Sequence, residues 1–341
     1  MLSRLYYNIT RVVKLAFIPL RYSKYLKRGL YKYNKSLTIL YPIGKQSETI
    51  KLPNVFGDID TNSNLFRKIF PKAYFFFKPY SNKMFNGNYM VISSSEREFK
   101  FFDYENKKIF TYYKDVEKLS FVYEKRLEWS KWFNTINCTI DLKKQILKEP
   151  LIDSRPFTSE KAIEQILVDY SKYISRIQNE EHSWYIPNEK LLKSFCQLWN
   201  DSSLFDRLLK FTKNNPIPTI ETHGDLWKSN MLYDGVNFYY IDFEYAAQRI
   251  FFYDIIMFIL AESLRMKNDT LLDMFLSKQF DDCLVALSKK LNYNYDVLHK
   301  DLYLILIVYE WYSTRWVGTK NENLIANISQ IVSSKCLFLN K

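Results

Sequence analysis

Glycine is scarce in this chain. Seven occur in 341 residues, at Gly29, Gly44, Gly57, Gly87, Gly224, Gly235 and Gly318, so each one marks a place where the backbone needs watching. Histidine is scarcer still (His182, His223, His299), and the four cysteines, Cys138, Cys196, Cys283 and Cys336, stand far apart. Such spacing excludes a zinc knuckle or a vicinal redox pair. Nothing in it asks for disulfides, which points to a reducing compartment and a cytoplasmic protein. No apolar run reaches the roughly 18–20 residues that a membrane span needs. The longest, 250–264, carries Asp254 and Glu262 and reads as a buried helix. Arg4, Arg11 and Lys14 interrupt the first apolar stretch, which therefore does not read as a secretory leader. Acid is also missing from residues 1–47, whereas Arg4, Arg11, Lys14, Arg21, Lys24, Lys27, Arg28, Lys32, Lys35 and Lys45 all fall there. Most of the formal net charge of +12 thus belongs to the N-terminal segment.

What is present fits a globular protein. The chain is 47% hydrophobic and 25% charged, and its length allows two lobes around well-buried cores. Four stretches follow from the pattern: a basic amphipathic segment over 1–35, an extension over 36–85, a strand-rich part over 86–152 and a helical part over 153–341. In the first, Leu2, Leu5, Ile9, Val12, Val13 and Ala16 recur at helical spacing, and Tyr22, Tyr25, Leu26, Tyr31 and Tyr33 interleave with basic residues. This pattern suits a helix lying on the anionic inner face of a membrane, or one packed on the body with its basic face in solvent. Nucleic acid is the less favoured partner.

In 36–85, Leu37–Tyr41 and Glu48–Leu52 are expected to pair as strands, and Asn64–Pro79 is an aromatic-rich helix or strand pair. From Asn86 the reading is three short antiparallel strands, Tyr89–Ile92, Phe99–Phe102 and Ile109–Tyr113, then a helix over Asp115–Phe133 and a strand over Gln145–Ile152. Thr158 or Ser159 caps the next helix, and Leu191–Phe211 reads as another. Asp234-Gly235 marks a hairpin between Met231–Tyr233 and Phe238–Ile241. Beyond Phe251 everything looks helical. Strands segregated from helices give an α+β arrangement, not βαβ alternation.

The chemistry concentrates in Thr222-His223-Gly224-Asp225-Leu226-Trp227-Lys228-Ser229-Asn230, followed by Tyr240-Ile241-Asp242-Phe243-Glu244. Phosphoryl transfer needs a carboxylate to orient the acceptor hydroxyl, oxygen ligands for Mg²⁺, and a cation to place the phosphates. Asp225 and Asn230 are five residues apart in a loop, and the hairpin returns Asp242 to the same point. The pattern His-Gly-Asp-Leu-x-x-x-x-Asn with Ile-Asp-Phe-Glu resembles the aminoglycoside phosphotransferase and choline kinase family. The resemblance implies a two-lobed protein-kinase-like fold, with a small antiparallel-sheet N-lobe, a mainly helical C-lobe, and ATP and Mg²⁺ between them. It also implies Asp225 as catalytic base, Asn230 and Asp242 as metal ligands, His223 as a structural member of the loop, and Asp254 as its brace. It covers about residues 220–260 by motif, and the remainder by element order.

Around this motif, Lys228 sits in the loop mouth and can neutralise the transferring phosphate. Lys114, which ends the third strand on the face of Phe110 and Tyr112, is expected to pair the ATP phosphates, with Glu128 or Glu124 of the next helix as its partner. Backbone around Glu149, over Lys148–Leu151, would hold the adenine. The loop Ser93–Glu98 has no glycine, and there Ser94 and Ser95 stand in as hydrogen-bond donors to the phosphates. Glu244, Glu262, Asp301 and Glu310 are candidates for an acidic acceptor pocket. The expected activity is transfer of phosphate from ATP, or GTP, with Mg²⁺, to a hydroxyl of a small molecule or sugar. The membrane-facing N-terminus favours a cell-surface glycan or lipid-linked precursor. The alternatives are a catalytically dead kinase-shaped binding module at the membrane surface and, more weakly, a protein kinase.

Overall fold

The structure, a computed structural model, describes residues 17–18, 21–27, 29–33, 39–42, 74–77, 87–93, 97–199, 201, 203–315, 325–326 and 328–332. The expected helix over residues 2–16, the strand over 48–52 and the phosphate-loop serines Ser94 and Ser95 lie outside them. The chain divides into two compact units, Met1–Glu124 with Ile136–Ser154 and Lys125–Thr135 with Arg155–Lys341. Among the described residues the first is mainly a sheet and the second mainly helical, so the fold is α+β as the segregated pattern predicts.

The described strands of the first unit are β1 (Gly29–Tyr33), β2 (Ile39–Pro42), β3 (Tyr74–Phe77), β4 (Tyr89–Ile92), β5 (Glu98–Asp103), β6 (Lys108–Tyr113), β7 (Thr139–Asp141) and β8 (Ile146–Pro150). They form one antiparallel sheet in the order β3-β1-β2-β4-β5-β6-β8-β7. Helix α1 (Val116–Trp129) joins β6 to β7. In β4, β5 and β6 residues of both faces are buried, so these strands are nearly continuous apolar runs. Side chains alternate between faces. On one face Met90, Ile92, Phe99, Phe101, Phe110 and Ile146 form a core. On the other, Ile39, Tyr89, Val91, Phe102 and Ile109 form a second, and Tyr113 and Leu147 pack with Leu119 and Val122 of α1.

The N-terminal segment contributes to this sheet. Gly29–Tyr33 is a strand hydrogen-bonded between β2 and β3, not part of a helix. Ile18, Tyr22, Tyr25 and Leu26 cover the face built on Phe99 and Phe101. Tyr22 stacks on Phe99 at 4.5 Å between ring centroids, and Tyr25 lies 5.1 Å from Phe101. The aromatic residues that suggested a lipid-facing stripe are thus inside the unit, while Arg21 and Lys24 stay exposed. The reason is tertiary: β-rich sheet surface needs cover, and tyrosines supply large apolar area with one polar end. Within 36–85, β2 and β3 extend the same sheet.

The second unit contains α2 (Ser159–Ile177), α3 (Glu189–Trp199), α4 (Leu204–Asn214), α5 (Tyr253–Met266), α6 (Thr270–Leu276), α7 (Asp281–Lys289) and α8 (Lys300–Arg315). Thr158 is the N-cap of α2 and accepts from the Lys161 N–H. The single helix expected over Leu191–Phe211 is two, α3 and α4. Asp201 accepts from both the N–H and the hydroxyl of Ser203, a local turn that competes with helix continuation. Two strand pairs interrupt the helices: β9 (Thr219–Thr222) with β12 (Ala247–Ile250), and β10 (Met231–Tyr233) with β11 (Phe238–Tyr240). Among the described residues no helix is long and apolar enough to cross a membrane. Helix α5, the apolar run of the sequence, is buried along nearly its whole length.

Candidate active site

Three backbone segments meet in the second unit. The first is the turn His223-Gly224-Asp225 after β9, the second the short 3₁₀ turn Lys228–Asn230, and the third Ile241-Asp242-Phe243 after β11. Asp254, fully buried in the first turn of α5, fastens the first of these. Its Oδ2 accepts from the His223 N–H at 2.5 Å and its Oδ1 from the Gly224 N–H at 2.9 Å. The Tyr170 hydroxyl of α2 donates to the same carboxylate. Burial, and then the charge of Asp254, push the Tyr170 phenol well above its ordinary range, so it stays a donor. A buried carboxylate with three donors is satisfied; without them it would be costly.

Gly224 is required here. It has φ +75°, and a Cβ on it would fall 2.1 Å from the Tyr245 carbonyl oxygen. His223 is buried, and its Nε2–H donates to the Ile241 carbonyl at 2.8 Å. That bond fixes the tautomer: Nδ1 is left as acceptor, facing the Asp225 N–H at 3.4 Å. Trp129 meets the imidazole edge-on at 5.6 Å, and Phe243 lies 4.9 Å away.

Asn230 is buried and donates from Nδ2 to the Asp225 carbonyl oxygen at 2.8 Å, with the Asp225 carboxylate at 3.3 Å. Donation at Nδ2 leaves Oδ1 as the acceptor atom of the amide. The Ile241 N–H donates to the Asn230 carbonyl at 3.0 Å. The chain at Asp242 is therefore pinned one residue away from Asn230, through the β10–β11 hairpin. That hairpin is closed by Asp234, whose carboxylate accepts from the N–H groups of Val236 and Asn237 and from the Tyr239 hydroxyl. Asp242 itself has φ +72°, a left-handed conformation that is uncommon outside glycine and tends to mark functional positions.

Asn230 is thus bound to Asp225, and Asp242 follows the residue whose N–H binds the Asn230 carbonyl; the three residues carry hard oxygen donors. Among the described residues no group of three His, Cys, Asp or Glu side chains gathers to cage a metal. Two carboxylates and an amide oxygen suit Mg²⁺, which keeps water and phosphate oxygens in its shell.

Lys228 is half-buried. Its Nζ lies 3.4 Å from Ser159 Oγ and 5.5 Å from the centre of the Phe157 ring. Ser159 in turn donates to the buried carboxylate of Glu262. Of the other acids considered for an acceptor pocket, Asp301 pairs with Arg207 at 3.0 Å and Glu310 with Arg249 at 3.8 Å. Burial raises the Glu310 carboxyl above its usual range. Glu244 is half-buried next to Phe243.

Lys114 follows the end of β6, and its Nζ lies over the Phe99 ring at 5.2 Å, on the face opposite the one that α1 covers. Glu128 pairs with Lys125 at 3.1 Å, and Lys125 also takes Glu221 at 2.6 Å. Burial lifts the Glu221 carboxyl against the pull of Lys125. Glu124 is exposed. Period-2 alternation puts Lys114 on the face of Phe110 and Tyr112 correctly, but which face the helix takes is a tertiary choice.

Adenine contacts were expected from the backbone of Lys148–Leu151. Antiparallel hydrogen-bonded pairs recur every second residue. Tyr113 N–H to Gln145 and Leu151 N–H to Lys107, each 2.9 Å, set that register, so Leu147, Glu149 and Leu151 turn their backbone groups toward β6. Of the groups directed away from β6, the Pro150 carbonyl lies beyond the end of β7. A cavity of about 480 Å³ beside this strand is lined by Lys107, Lys108, Phe110, Cys138, Lys148 and Glu149, among others.

Sequence reasoning missed Tyr170, whose hydroxyl meets Asp254, and Arg126, buried in α1 with its guanidinium 5.9 Å from the Phe243 ring. Neither carries a local signal; both act across long sequence separations.

No protein-family model and no curated protein sequence matches this chain. Solved structures do. It is similar to a choline/ethanolamine kinase family protein from Mesorhizobium loti, with 10% identity and a TM-score of 0.41 over 72% of this chain and 87% of that one. It is similar to the choline kinase LicA from Streptococcus pneumoniae, with 13% identity and a TM-score of 0.36 over 72% and 91%. It is similar to the aminoglycoside phosphotransferase APH(4)-Ia, with 11% identity and a TM-score of 0.42 over 71% and 88%. At such identities and TM-scores these likenesses carry no argument, and the case for the site rests on the geometry above.

Proposed function

We propose that the protein is a Mg²⁺- and ATP-dependent phosphotransferase acting on a hydroxyl group of a small molecule. The observation that carries this reading is the convergence of Asp225, Asn230 and Asp242 on one braced loop–hairpin pair. Asp225 orients the acceptor hydroxyl and takes its proton at the carboxylate. Asn230 Oδ1 and Asp242 would hold Mg²⁺, which when bound neutralises charge on the phosphates. Lys228 adds a cation beside Asp225 in the loop mouth. His223, Gly224 and Asp254 keep the Asp225 backbone in place, so the contribution is positioning and preorganised charge, with no covalent intermediate. In the first unit, the Pro150 carbonyl offers an acceptor of the kind an adenine amino group takes, with Glu149 on the same strand. ATP is preferred on this reading, with GTP as the competing nucleotide.

The acceptor proposal stops at a small-molecule alcohol. A surface-glycan or lipid-linked acceptor was favoured by a membrane-facing N-terminus, and Tyr22, Tyr25, Tyr31 and Tyr33 of that segment are core residues instead.

Thermal unfolding with Mg²⁺ and ATP tests the reading, beside Asp242→Asn. Asparagine tolerates the left-handed conformation, so the variant should fold. A ligand at 100 times its dissociation constant adds about 2.7 kcal/mol, or a shift of several degrees. The wild type should shift only with metal present and the variant should not. No shift of the wild type with ATP or GTP at millimolar concentration would favour the non-catalytic binding module.

A further inference from the structure

We infer that Ser159 and Glu262 are positioning residues for Lys228: a buried carboxylate, acting through one hydroxyl, holds the ammonium of the catalytic loop in place for the transferred phosphoryl group. The inference rests on the phosphotransferase reading and adds two residues to it.

Three elements of the second unit supply the parts. Lys228 comes from the 3₁₀ turn three residues after Asp225, Ser159 from the first turn of α2 and Glu262 from the second half of α5. Glu262 is 1% exposed and Ser159 4%. A carboxylate so placed is costly unless it is hydrogen-bonded or paired. The Ser159 hydroxyl donates to it, and Lys228 Nζ donates to the same Oγ at 3.4 Å. A serine hydroxyl has one proton and two lone pairs. Its proton is committed to Glu262, so a lone pair faces Lys228. The order of donation is therefore fixed, from Lys228 to Ser159 to Glu262.

Among the described residues, neither end of this chain of donors has an ion pair of its own. The hydroxyl alone joins them. That arrangement tethers the ammonium without cancelling it, as a direct carboxylate contact would. The α2 N-terminus, where Ser159 sits, is the positive end of a helix dipole and adds attraction for the Glu262 carboxylate. Ser159 is fixed by the cap beside it, since Thr158 accepts from the Lys161 N–H. Lys161, the nearest other cation of α2, is engaged elsewhere. Its Nζ donates to the Tyr233 hydroxyl at 2.6 Å and lies 3.9 Å from the centre of that ring. On the apolar side of Lys228 stands Phe157, 5.5 Å from Nζ and itself edge-on to Phe238 at 5.1 Å. A lysine stem is flexible, and a charge held in advance needs no reorganisation when phosphate passes. Glu262 on this account supports the loop from behind and is not a wall of the acceptor pocket.

The test measures binding of Mg·ATP and of Mg·ADP calorimetrically on the full chain. The two ligands differ by the phosphate that would be transferred, so the ratio of their affinities reports contact with it, whereas a packing defect moves both. Ser159→Ala should lower the preference for Mg·ATP on the order of threefold to tenfold and leave Mg·ADP unchanged. Ser159→Thr keeps the hydroxyl and should keep the wild-type preference. Glu262→Gln should match Ser159→Ala, and Ser159→Ala decides the case if Glu262→Gln fails to fold. In a Lys228→Met background, Ser159→Ala should cause no further loss, because the hydroxyl acts through the ammonium. An unchanged preference in Ser159→Ala would overturn the assignment. So would an equal loss of both nucleotides, or a further loss of preference in the Lys228→Met background. A wild type that binds neither nucleotide would overturn the phosphotransferase reading itself and this assignment with it, an outcome distinct from the others.

Discussion

The two units hold their candidate site residues in different ways. In the second, the functional side chains sit on turns that are tied to one another by backbone hydrogen bonds and to a single buried carboxylate, Asp254. In the first, they sit on strands, where a side chain's role depends on which of two faces it takes. A loop of the first kind is specified by its own residues over about twenty positions. A strand of the second kind is specified only once the sheet and its covering elements are assembled. Asn230 accordingly meets Asp225 within five residues, whereas Lys114 lies over Phe99 and Glu128 pairs with Lys125.

The largest effect that would break this comparison is at the catalytic carboxylate. Asp225→Asn should leave Mg·ATP binding in place and lower turnover by about 10²- to 10⁴-fold, the usual worth of a general base. Turnover on small alcohols with wild-type speed would remove Asp225 from the chemistry. Next comes Gly224→Ala. Its Cβ would meet the Tyr245 carbonyl at 2.1 Å in a backbone conformation with φ +75°. We expect about 3 kcal/mol of destabilisation, or roughly 6–12 °C in Tm. A wild-type melting curve would show that the turn relaxes and that Asp254 does not hold it rigidly.

The smallest effect concerns the first unit. Tyr22→Ala should cost about 2 kcal/mol by exposing Phe99 and Tyr112, with no change in binding to anionic vesicles. A fall in vesicle binding with an unchanged melting temperature would restore the membrane-facing reading of the N-terminal segment.

Much of the architecture is legible before any coordinates. The three strands from Tyr89 to Tyr113 and the hairpin at Asp234-Gly235 follow from alternation and turn chemistry. The capped helix after Thr158 follows from its end signals. The split of the expected 191–211 helix is local too, but the signal, Asp201 and Ser203 in a turn, competes with a strong apolar period and is easily outweighed. The basic tyrosine-rich segment was ambiguous for a different reason. A tyrosine stripe suits a lipid surface and a sheet face equally well, and only the presence of Phe99 and Phe101 opposite it decides.

By itself, then, the sequence determines much of the catalytic segment, because the hydrogen bonds of His223, Gly224, Asp225 and Asn230 run between near neighbours or to one aspartate thirty residues on. The tertiary structure alone decides the rest. The face of β5 and β6 that α1 covers, the closure of the other face by Tyr22 and Tyr25, and the buried Tyr170 behind Asp254 all depend on elements far apart in the chain. Alternation tells which side chains share a face, but not which face is core, and that follows only from where the remaining apolar surface is buried.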